Sequence, residues 1–249
     1  MHQQKQFKIL LIGDGCTDEY VYGVCERINP EAPVPILKYT RKETKKGMVW
    51  NVRENLISFG IEVCIVTNKE NIIKTRYIDE RYNQQILRVD SEDTVEPMDY
   101  DPSRDDYDAL VISDYNKGFV TPQRLFELVE WFDGPVFIDS KKDVLPEDGC
   151  FIKINETESK LLKNRNDNLI ITKGSSGAEY KGKMYPGEHV NVFDVVGAGD
   201  TFLAALTYGY LTYGRIEDAI PLANKSAAIA VSHTGTYVLT GEDINAICS

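Results

Sequence analysis

The sequence predicts an α/β protein with a mostly parallel sheet that is covered by helices on both faces. The first observation is a series of short apolar runs without polar alternation, which is typical of strands buried on both faces. The second is that segments with a helical spacing of apolar residues lie between several of these runs. The third is the length, since 249 residues suffice for one large α/β domain, residues 1–249, without a repeat or linker.

The predicted elements alternate along most of the chain. The predicted strands are 8–12, 62–66, 109–113, 136–139, 150–154 and 169–172. The predicted helices are 51–59, 122–132, 156–162, 201–213 and 216–231. Because the carboxyl ends of parallel strands meet at one edge of the sheet, we expect the ligand-binding residues to follow the strands.

Two segments, 20–40 and 74–90, break this alternation. The first is rich in Val, Tyr and Pro, and prolines in such a segment are typical of edge or irregular strands. The second alternates without any helical pattern. We expect strands in both segments, and an ordinary excursion of β-structure from the core would give the same pattern.

Composition and charge exclude several classes of partner. The net charge of −11 argues against nucleic acid and anionic membranes, but a local pocket with Mg²⁺ can still bind a phosphorylated substrate. No apolar run is long enough to span a bilayer, and the polar residues 1–6 predict no secretory signal peptide. Five cysteines without C-x-x-C spacing and three histidines argue against a zinc site or disulfide framework and favour the reducing cytoplasm.

The most informative segment is 193–202, Phe-Asp-Val-Val-Gly-Ala-Gly-Asp-Thr-Phe. A helical pattern follows Gly197-Ala198-Gly199, so free backbone N–H groups and the positive end of the helix dipole face its entrance. This arrangement predicts an anion pocket. Asp200 would repel the anion unless it accepts a proton from a hydroxyl that attacks phosphorus held there. The alternative role of Asp200 is a helix cap.

This segment resembles the C-terminal signature of the ribokinase-like (PfkB) carbohydrate kinases. Other segments resemble the bacterial D-glycero-β-D-manno-heptose 7-phosphate kinases, and these are 12–14, 18–23, 27–35, 74–76, 83–90 and 113–118. The resemblance runs from about Lys8 to Ile244. It implies a three-layer ribokinase-like fold, with a small β-lid formed by the strands within 20–40 and 74–90 and a homodimer formed through that lid. The implied activity is ATP-dependent phosphorylation of a sugar or sugar phosphate, best matched by a heptose 7-phosphate phosphorylated at O1.

The resemblance also implies roles on the nucleotide side. Asp200 would be the catalytic base, with N–H groups supplied by Gly197, Ala198 and Gly199. Asn155 and Glu158 would organise Mg²⁺, directly or through water, although Asn155 is equally a plain helix cap. The implied ATP-binding residues are Asn155, Glu158, Thr172, Gly174, Gly177 and Asn224, and Asp194 would hold K⁺ with backbone carbonyls near Gly235. The segment 172–177 equally fits a β-turn, and Asn224 equally fits a solvent-facing position.

Candidate residues for the sugar side are carboxylates and cations at predicted strand ends and on the lid. Carboxylates accept hydrogen bonds from sugar hydroxyls, and Lys and Arg bind a phosphate that the substrate already carries. The candidates are Asp14, Asp18, Gly47, Asn51, Arg76, Arg88, Asp114, Lys117 and Lys141, of which Gly47 and Asn51 come from the resemblance. Any one of these charges alone is typical of a solvated surface.

Two departures from the family pattern leave alternatives open. Met48 and Trp50 stand where small residues are usual, and the Trp50 indole could stack on a sugar face. The connection 67–74 is short, which predicts a narrower sheet without one edge unit. The alternatives are a kinase for another small sugar and a kinase-derived binding protein without catalysis. The chain has no His-x-Gly-His signature, so we do not expect a nucleotidyltransferase.

Overall fold

The computed structural model of the chain describes residues 6–91, 94–99, 101–103 and 106–248. Residues 1–5, on which the expectation about a signal peptide rests, lie outside the described residues. In chain order the strands are β1 (Lys8–Gly13), β2 (Gly15–Ile28), β3 (Pro35–Met48), β4 (Glu62–Thr67), β5 (Ile72–Asp79), β6 (Gln84–Ser91), β7 (Ala109–Asp114), β8 (Val136–Ser140), β9 (Phe151–Asn155), β10 (Leu169–Thr172), β11 (Ala178–Tyr180) and β12 (Lys183–Tyr185). The helices are α1 (Val49–Ser58), α2 (Pro122–Trp131), α3 (Glu156–Leu161), α4 (Ala198–Tyr213), α5 (Ile216–Val231) and α6 (Gly241–Cys248).

The main sheet confirms the predicted parallel architecture. Its strand order, within the described residues, is β12-β11-β10-β9-β8-β7-β1-β4. Neighbouring strands from β4 to β10 are parallel, whereas β11 and β12 are added antiparallel at one edge. The predicted strands lie within a residue or two of the observed ones. Helix α4 begins at Ala198 rather than at 201, and neither α6 nor β12 is among the predicted elements.

Helices cover both faces of the main sheet. Alternate residues of β1 enter two separate apolar cores, because successive side chains of a strand point to opposite faces. Leu11 packs into the core shared with α1, α4 and α5, and Ile12 packs into the core shared with α2. The three layers follow directly from this alternation, as the sequence predicts.

The two irregular segments form a second, separate sheet. Its order is β3-β2-β5-β6, with β2 and β5 parallel and the other neighbours antiparallel. Its first two strands extend beyond the predicted segment 20–40 and reach β1 and α1, since only Asp14 separates β1 from β2 and β3 ends where α1 begins. We call this four-stranded sheet the lid.

The free edge of the main sheet is β4. Residues 68–71 alone join β4 to β5 of the lid, and no other described strand pairs with the outer side of β4. The short connection therefore leaves β4 as the edge, where the sequence predicts the loss of one unit. Among the described helices, none is long and apolar enough to cross a membrane.

Candidate active site

The entrance to α4 is shaped by two glycines. Gly197 precedes the helix with φ 80°, in the left-handed region that favours glycine, and a Cβ there would lie 2.7 Å from Asn51 Nδ2. A Cβ on Gly199 would lie 2.7 Å from Lys153 Nζ. Glycine is needed at both positions because the Asn51 amide of α1 and the Lys153 ammonium of β9 approach the first turn of α4 closely.

Asp200 lies in this first turn and is 3% exposed. Its Oδ2 accepts a hydrogen bond from Asn51 Nδ2 at 3.0 Å, and its Oδ1 accepts one from the Tyr115 hydroxyl at 2.8 Å. Burial raises the pKa of Asp200 to about 6, although the two hydrogen bonds oppose that rise. A carboxylate that is ionised at neutral pH but close to protonation suits a general base.

A buried ion pair lies beneath the first turn of α4. Lys153 of β9 is 5% exposed, and its Nζ lies 2.5 Å from Asp139 Oδ2 of β8. Burial lowers the pKa of Lys153, but the Asp139 carboxylate raises it by more than burial lowers it. The pKa therefore stands above its usual value, and the ammonium stays charged. Sequence reasoning missed Lys153, Asp139 and Tyr115, although a lysine inside the apolar run 150–154 was an available signal.

A cleft of about 680 Å³ opens beside this ammonium. It brings together five of the six residues predicted to bind nucleotide with the start of α4. Apolar side chains of α5 and of residues 190–195 supply much of its wall, as flat ligands require. The residues that line the cleft include Lys153, Asn155, Thr172, Gly174, Gly177, Val190, Val192, Ala198, Gly199, Asn224, Ala227 and Val231.

The far wall of this cleft is held by backbone and by Asn224. Gly177 has φ 95°, and a Cβ there would lie 2.1 Å from the carbonyl oxygen of Tyr185. Asn224 is buried, and its Nδ2 donates to the carbonyls of Tyr185 at 2.9 Å and Pro186 at 3.0 Å. Asn224 thus faces protein rather than solvent, which excludes the solvent-facing alternative.

Asn155 and Glu158 form a capping box at the start of α3. Asn155 Oδ1 accepts from the Glu158 N–H at 2.8 Å, and Glu158 Oε2 accepts from the Asn155 N–H at 2.9 Å. Asn155 lines the cleft, whereas Glu158 reaches it only through this box. Among the described residues, no group of three or more His, Cys, Asp and Glu side chains is arranged to hold a metal.

Asp194 joins the loop before α4 to the loop after α5. Its Oδ1 accepts from the Val196 N–H at 3.1 Å, and its Oδ2 accepts from the Gly235 N–H at 2.9 Å. The structure therefore brings together the two segments that the resemblance assigns to a potassium site.

On the other side of Asp200, the predicted sugar-binding carboxylates have protein partners. Asp14 Oδ2 accepts from the backbone N–H groups of Tyr115 at 2.7 Å and Lys117 at 3.2 Å. Asp114 Oδ2 lies 2.5 Å from Lys142 Nζ and also accepts from the Ser140 hydroxyl at 2.5 Å. Both carboxylates thus hold the loop after β7 in place.

The lid residues are paired with one another. Asp18 forms a buried ion pair with Arg76, and a Cβ on Gly47 would lie 2.0 Å from Asp18 Oδ2, so Gly47 makes room for this pair. Arg88 is more exposed and binds Asp90 through Nε at 2.7 Å and Nη2 at 2.5 Å.

Cations from the lid and from the main sheet lie beside Tyr115, and we call the region next to them the cationic space. The pKa of Asp90 is lowered chiefly by its hydrogen bond from Arg88 and also by the charges of Lys74 and Lys117. Lys141 Nζ lies 4.6 Å from the centre of the Tyr115 ring, and Lys74 Nζ lies 5.5 Å from it. Tyr115 bonds to Asp200, so this cationic group adjoins the carboxylate.

The two bulky residues before α1 contact protein. Met48 is 4% exposed and packs in the core with Ile72, with φ 58°. The Trp50 ring lies beside Gly15, and Lys46 Nζ is 3.8 Å from its centre. Lys46 therefore covers one face of the Trp50 indole, the group that the sequence analysis considered for stacking on a sugar.

A family model described as pfkB family carbohydrate kinase matches residues 152–241. The chain is 31% identical over 297 residues to the bifunctional protein HldE of Nitratiruptor sp., covering 95% of this chain and 64% of that protein. It is also 31% identical over 310 residues to the bifunctional protein HldE of Hyphomonas neptunium, covering 97% and 63%. The chain thus spans less than two thirds of these relatives, and the alignments are longer than the chain itself, so the relatives contain residues that it lacks.

Solved structures share the fold at low sequence identity. The potassium complex of phosphofructokinase-2 from Escherichia coli matches with a TM-score of 0.69 at 15% identity, covering 97% of each chain. The ribokinase of Arabidopsis thaliana in complex with ribose and ATP matches with a TM-score of 0.68 at 14% identity, covering 98% of this chain and 99% of the ribokinase. The predicted ribokinase-like fold is confirmed.

Proposed function

Because the chain belongs to the pfkB family of carbohydrate kinases, we propose that it transfers the γ-phosphoryl group of ATP to a sugar hydroxyl, with Asp200 as the base. The observation that carries this proposal is that Asp200 directly follows Gly199, which lines the 680 Å³ cleft, and accepts a hydrogen bond from Tyr115, beside which Lys74 and Lys141 lie. The sugar oxygen forms a bond to the γ-phosphorus, the bond from that phosphorus to the β,γ-bridging oxygen breaks, Asp200 takes the hydroxyl proton, and ADP leaves.

The 680 Å³ cleft is the proposed ATP site. Ala198 and Gly199 line the cleft at the start of α4, where the N-terminal N–H groups of the helix would meet the phosphates, and the charged Lys153 lies next to Gly199. The apolar wall from Val190, Val192 and Ala227 suits a purine ring. The fold neighbour from Arabidopsis, which was solved with ribose and ATP, supports this assignment.

Mg²⁺ would be held by Asn155 and Glu158, in part through water. The donor set fits, because the capping box engages Asn155 Oδ1 and Glu158 Oε2 while leaving each side chain further oxygen lone pairs at the margin of the cleft. When bound, the ion neutralises charge on the phosphates. The chain's own contribution is to hold both oxygens at a fixed helix start.

K⁺ is the proposed monovalent ion beside Asp194. The carboxylate already ties the Val196 and Gly235 segments together, and a cation there would add backbone carbonyls of the same loops. The potassium complex of the fold neighbour phosphofructokinase-2 supports the idea. Equal activity in K⁺ and in a large organic cation would exclude this role.

The proposed substrate is a sugar that already carries a phosphate, best matched by a heptose 7-phosphate phosphorylated at O1. The relatives named HldE support this choice, as do the cations Lys74, Lys117, Lys141 and Arg88 around one space. Cations in such a space penalise a substrate without an anion far more than a difference of one methylene does, which is about 1–3 kcal/mol.

A homodimer through the lid is also proposed. Strand β6 is exposed along its whole length and is an edge strand, and it carries Ile86, Leu87 and Val89. Pairing with a second copy would cover these apolar side chains and the open edge. Light scattering should then give twice the monomer mass, and Leu87→Lys should restore the monomer.

An ATP-consumption screen tests the kinase assignment. Free sugars are compared with their phosphates, with the heptose 7-phosphate included, and ADP binding is measured in parallel. We expect turnover with a sugar phosphate. Turnover with an unphosphorylated sugar alone would overturn the heptose assignment and retain the kinase. Retained ADP binding without turnover of any sugar would favour a kinase-derived binding protein.

A further inference from the structure

Tyr115 is the residue that links the proposed base to the cationic space. We propose that Tyr115 is a positioning residue for Asp200, whose hydroxyl orients the carboxylate and stabilises its charged form for proton abstraction. This inference rests on the proposed function of Asp200. The observation that supports it is the 2.8 Å hydrogen bond from the Tyr115 hydroxyl to Asp200 Oδ1, which joins the loop after β7 to the start of α4.

The backbone of Tyr115 is clamped from both sides. Its N–H donates to Asp14 Oδ2 at 2.7 Å, and the N–H of Asn116 donates to Asp114 Oδ1 at 2.9 Å. Asp114 is in turn held by Lys142 at 2.5 Å. Buried carboxylates that accept two backbone donors in succession fix the loop, so the phenol is presented from a rigid base.

The ring of Tyr115 is also held by cations. Lys141 Nζ lies 4.6 Å from the ring centre, and Lys74 Nζ from the lid lies 5.5 Å from it. Cation–π contacts of this kind stabilise the ring in its observed position. The hydroxyl of this ring donates to Asp200 Oδ1.

The proton of this hydrogen bond belongs to Tyr115. Burial raises the pKa of Tyr115 well above its usual value, and the nearby Asp200 and Asp139 carboxylates raise it further. The phenol therefore donates and the carboxylate accepts. With Asn51 Nδ2 on Oδ2, donors from two elements define the plane of the Asp200 carboxylate and leave further lone pairs for a substrate hydroxyl.

Other groups face Asp200 and bear on its titration. Asp139 of β8 raises its pKa and Lys153 of β9 lowers it, whereas Cys16 of β2 is close enough to sense its charge. Burial raises the pKa of Cys16 to about 12, so the thiol stays neutral. In the part of the chain that the structure describes, Tyr115 and Asn51 are the two side chains that hydrogen-bond Asp200, and Tyr115→Phe removes one such bond while keeping the ring.

The test is the pH dependence of kcat and kcat/KM for wild type and Tyr115→Phe, together with the ¹³C-carboxyl NMR titration of Asp200. Asp200→Asn assigns the NMR resonance. A hydrogen bond to an ionised carboxylate favours the charged form, so its loss should move the acidic limb and the NMR midpoint up by about one pH unit or more. The substrate phosphate titrates in the same range, but equally in both proteins, so the difference between them reports on Asp200.

Tyr180→Phe is the matched control. Tyr180 is also buried, at 3% exposure, and its hydroxyl donates to Asn168 Oδ1 at 3.1 Å, away from Asp200. It should show a comparable loss of stability with an unchanged pH profile. A uniform fall of kcat/KM at all pH values in Tyr115→Phe, with an unmoved NMR midpoint, would overturn the proposal. The NMR arm reads the carboxylate without turnover, so failure of the kinase assignment is distinguishable from failure of this one.

Discussion

The two sides of Asp200 are built by different physical means. On the nucleotide side, backbone packs against backbone: a Cβ at Gly177 would lie 2.1 Å from the Tyr185 carbonyl, and one at Gly187 would lie 2.7 Å from the Ser175 carbonyl. On the sugar side, side-chain ion pairs such as Asp114 with Lys142 set the shape. A backbone wall cannot adapt to added bulk, whereas a charged side chain can exchange its partner for a charged ligand. We therefore expect ligand binding to depend mainly on shape on the first side and mainly on charge on the second side.

Asp200 lies between these two sides, and its replacement should have the largest effect on the catalytic rate. We expect Asp200→Asn to lower kcat by about 10²–10⁴-fold, because a positioned base contributes that much. The affinity for ADP should be nearly unchanged, since Asp200 is not among the lining residues of the cleft. Steady-state kinetics and calorimetry measure the two quantities. Turnover at the wild-type rate would show that Asp200 is not the base.

The ion pair between Lys153 and Asp139 tests how far charge supports the nucleotide side. Lys153→Met leaves the Asp139 carboxylate without its partner at 2.5 Å, so the free energy of unfolding should fall by about 3–5 kcal/mol. Urea denaturation measures this loss.

Lys173→Met is the matched control for that change. Lys173 pairs with Glu179 at the same 2.5 Å, but both side chains are about 30% exposed, so the loss should stay within about 1 kcal/mol. Equal losses in the two variants would mean that burial does not distinguish the two pairs.

The titration of Asp200 predicts a dependence of stability on pH. Its pKa is about 6 in the folded chain against an ordinary value of 3.8, so the folded state binds the proton more tightly than the unfolded state between these pH values. The resulting stability is fully present below about pH 4 and is lost as the pH rises through 6. Asp200→Asn lacks this loss, so from pH 4 to pH 7 it should gain up to about 3 kcal/mol relative to wild type. Thermal unfolding across this range measures it, and a constant difference would contradict the assigned shift.

The two sides also differ in how well the sequence predicted them. Gly174, Gly177, Thr172 and Asn155, which the resemblance assigns to one nucleotide site, line one cleft, because glycine and a strand end carry their geometry locally. The partners of Asp18 and Asp114 were not predictable, since ion pairs between distant segments depend on strand register and on which side chains meet. Likewise, no local pattern announces that Tyr115 bonds to a residue 85 positions away.

The same reasoning applies to the strands. Buried parallel strands were predicted to within a residue or two, because continuous apolar runs mark them. Of the two lid segments, 74–90 matches β5 and β6 within two residues, whereas 20–40 was predicted too short, since residues 40–46 of β3 are exposed and carry little apolar signal. The helix α6, with a single buried residue at Ile247, gave no such signal either.

Gly177→Ala probes the backbone wall directly. Gly177 has φ 95°, and the new Cβ would overlap a backbone oxygen at 2.1 Å, so we expect a loss of about 1–3 kcal/mol beyond the cost of the conformation itself. Gly182→Ala is the control, because its φ of 74° is also positive but nothing lies within 4 Å of the new Cβ. ADP affinity should fall only for Gly177→Ala. Equal losses of stability in both variants would mean that the clash is relieved without cost.

The smallest effect is expected on the charged side, at Arg88. In the structure Arg88 is paired with Asp90, and its side chain is 47% exposed, so Arg88→Gln should leave stability nearly unchanged. If Arg88 exchanges Asp90 for the phosphate of the substrate, KM for that sugar phosphate should rise by about three- to tenfold with kcat unchanged. The pKa of Arg88 is raised chiefly by its hydrogen bond to Asp90 and also by the charge of Asp18, a lid residue predicted to bind the sugar. Arg41→Gln is the control, because Arg41 is 49% exposed and pairs with Glu43 two residues away on β3, as Arg88 does with Asp90 on β6. Kinetics with the sugar phosphate selected by the screen measure both variants. An equal rise of KM in both variants would mean that the loss of one positive charge, wherever it lies, causes the effect. No rise in either would mean that Arg88 does not bind the substrate phosphate, and Lys74, Lys117 and Lys141 would remain as candidates.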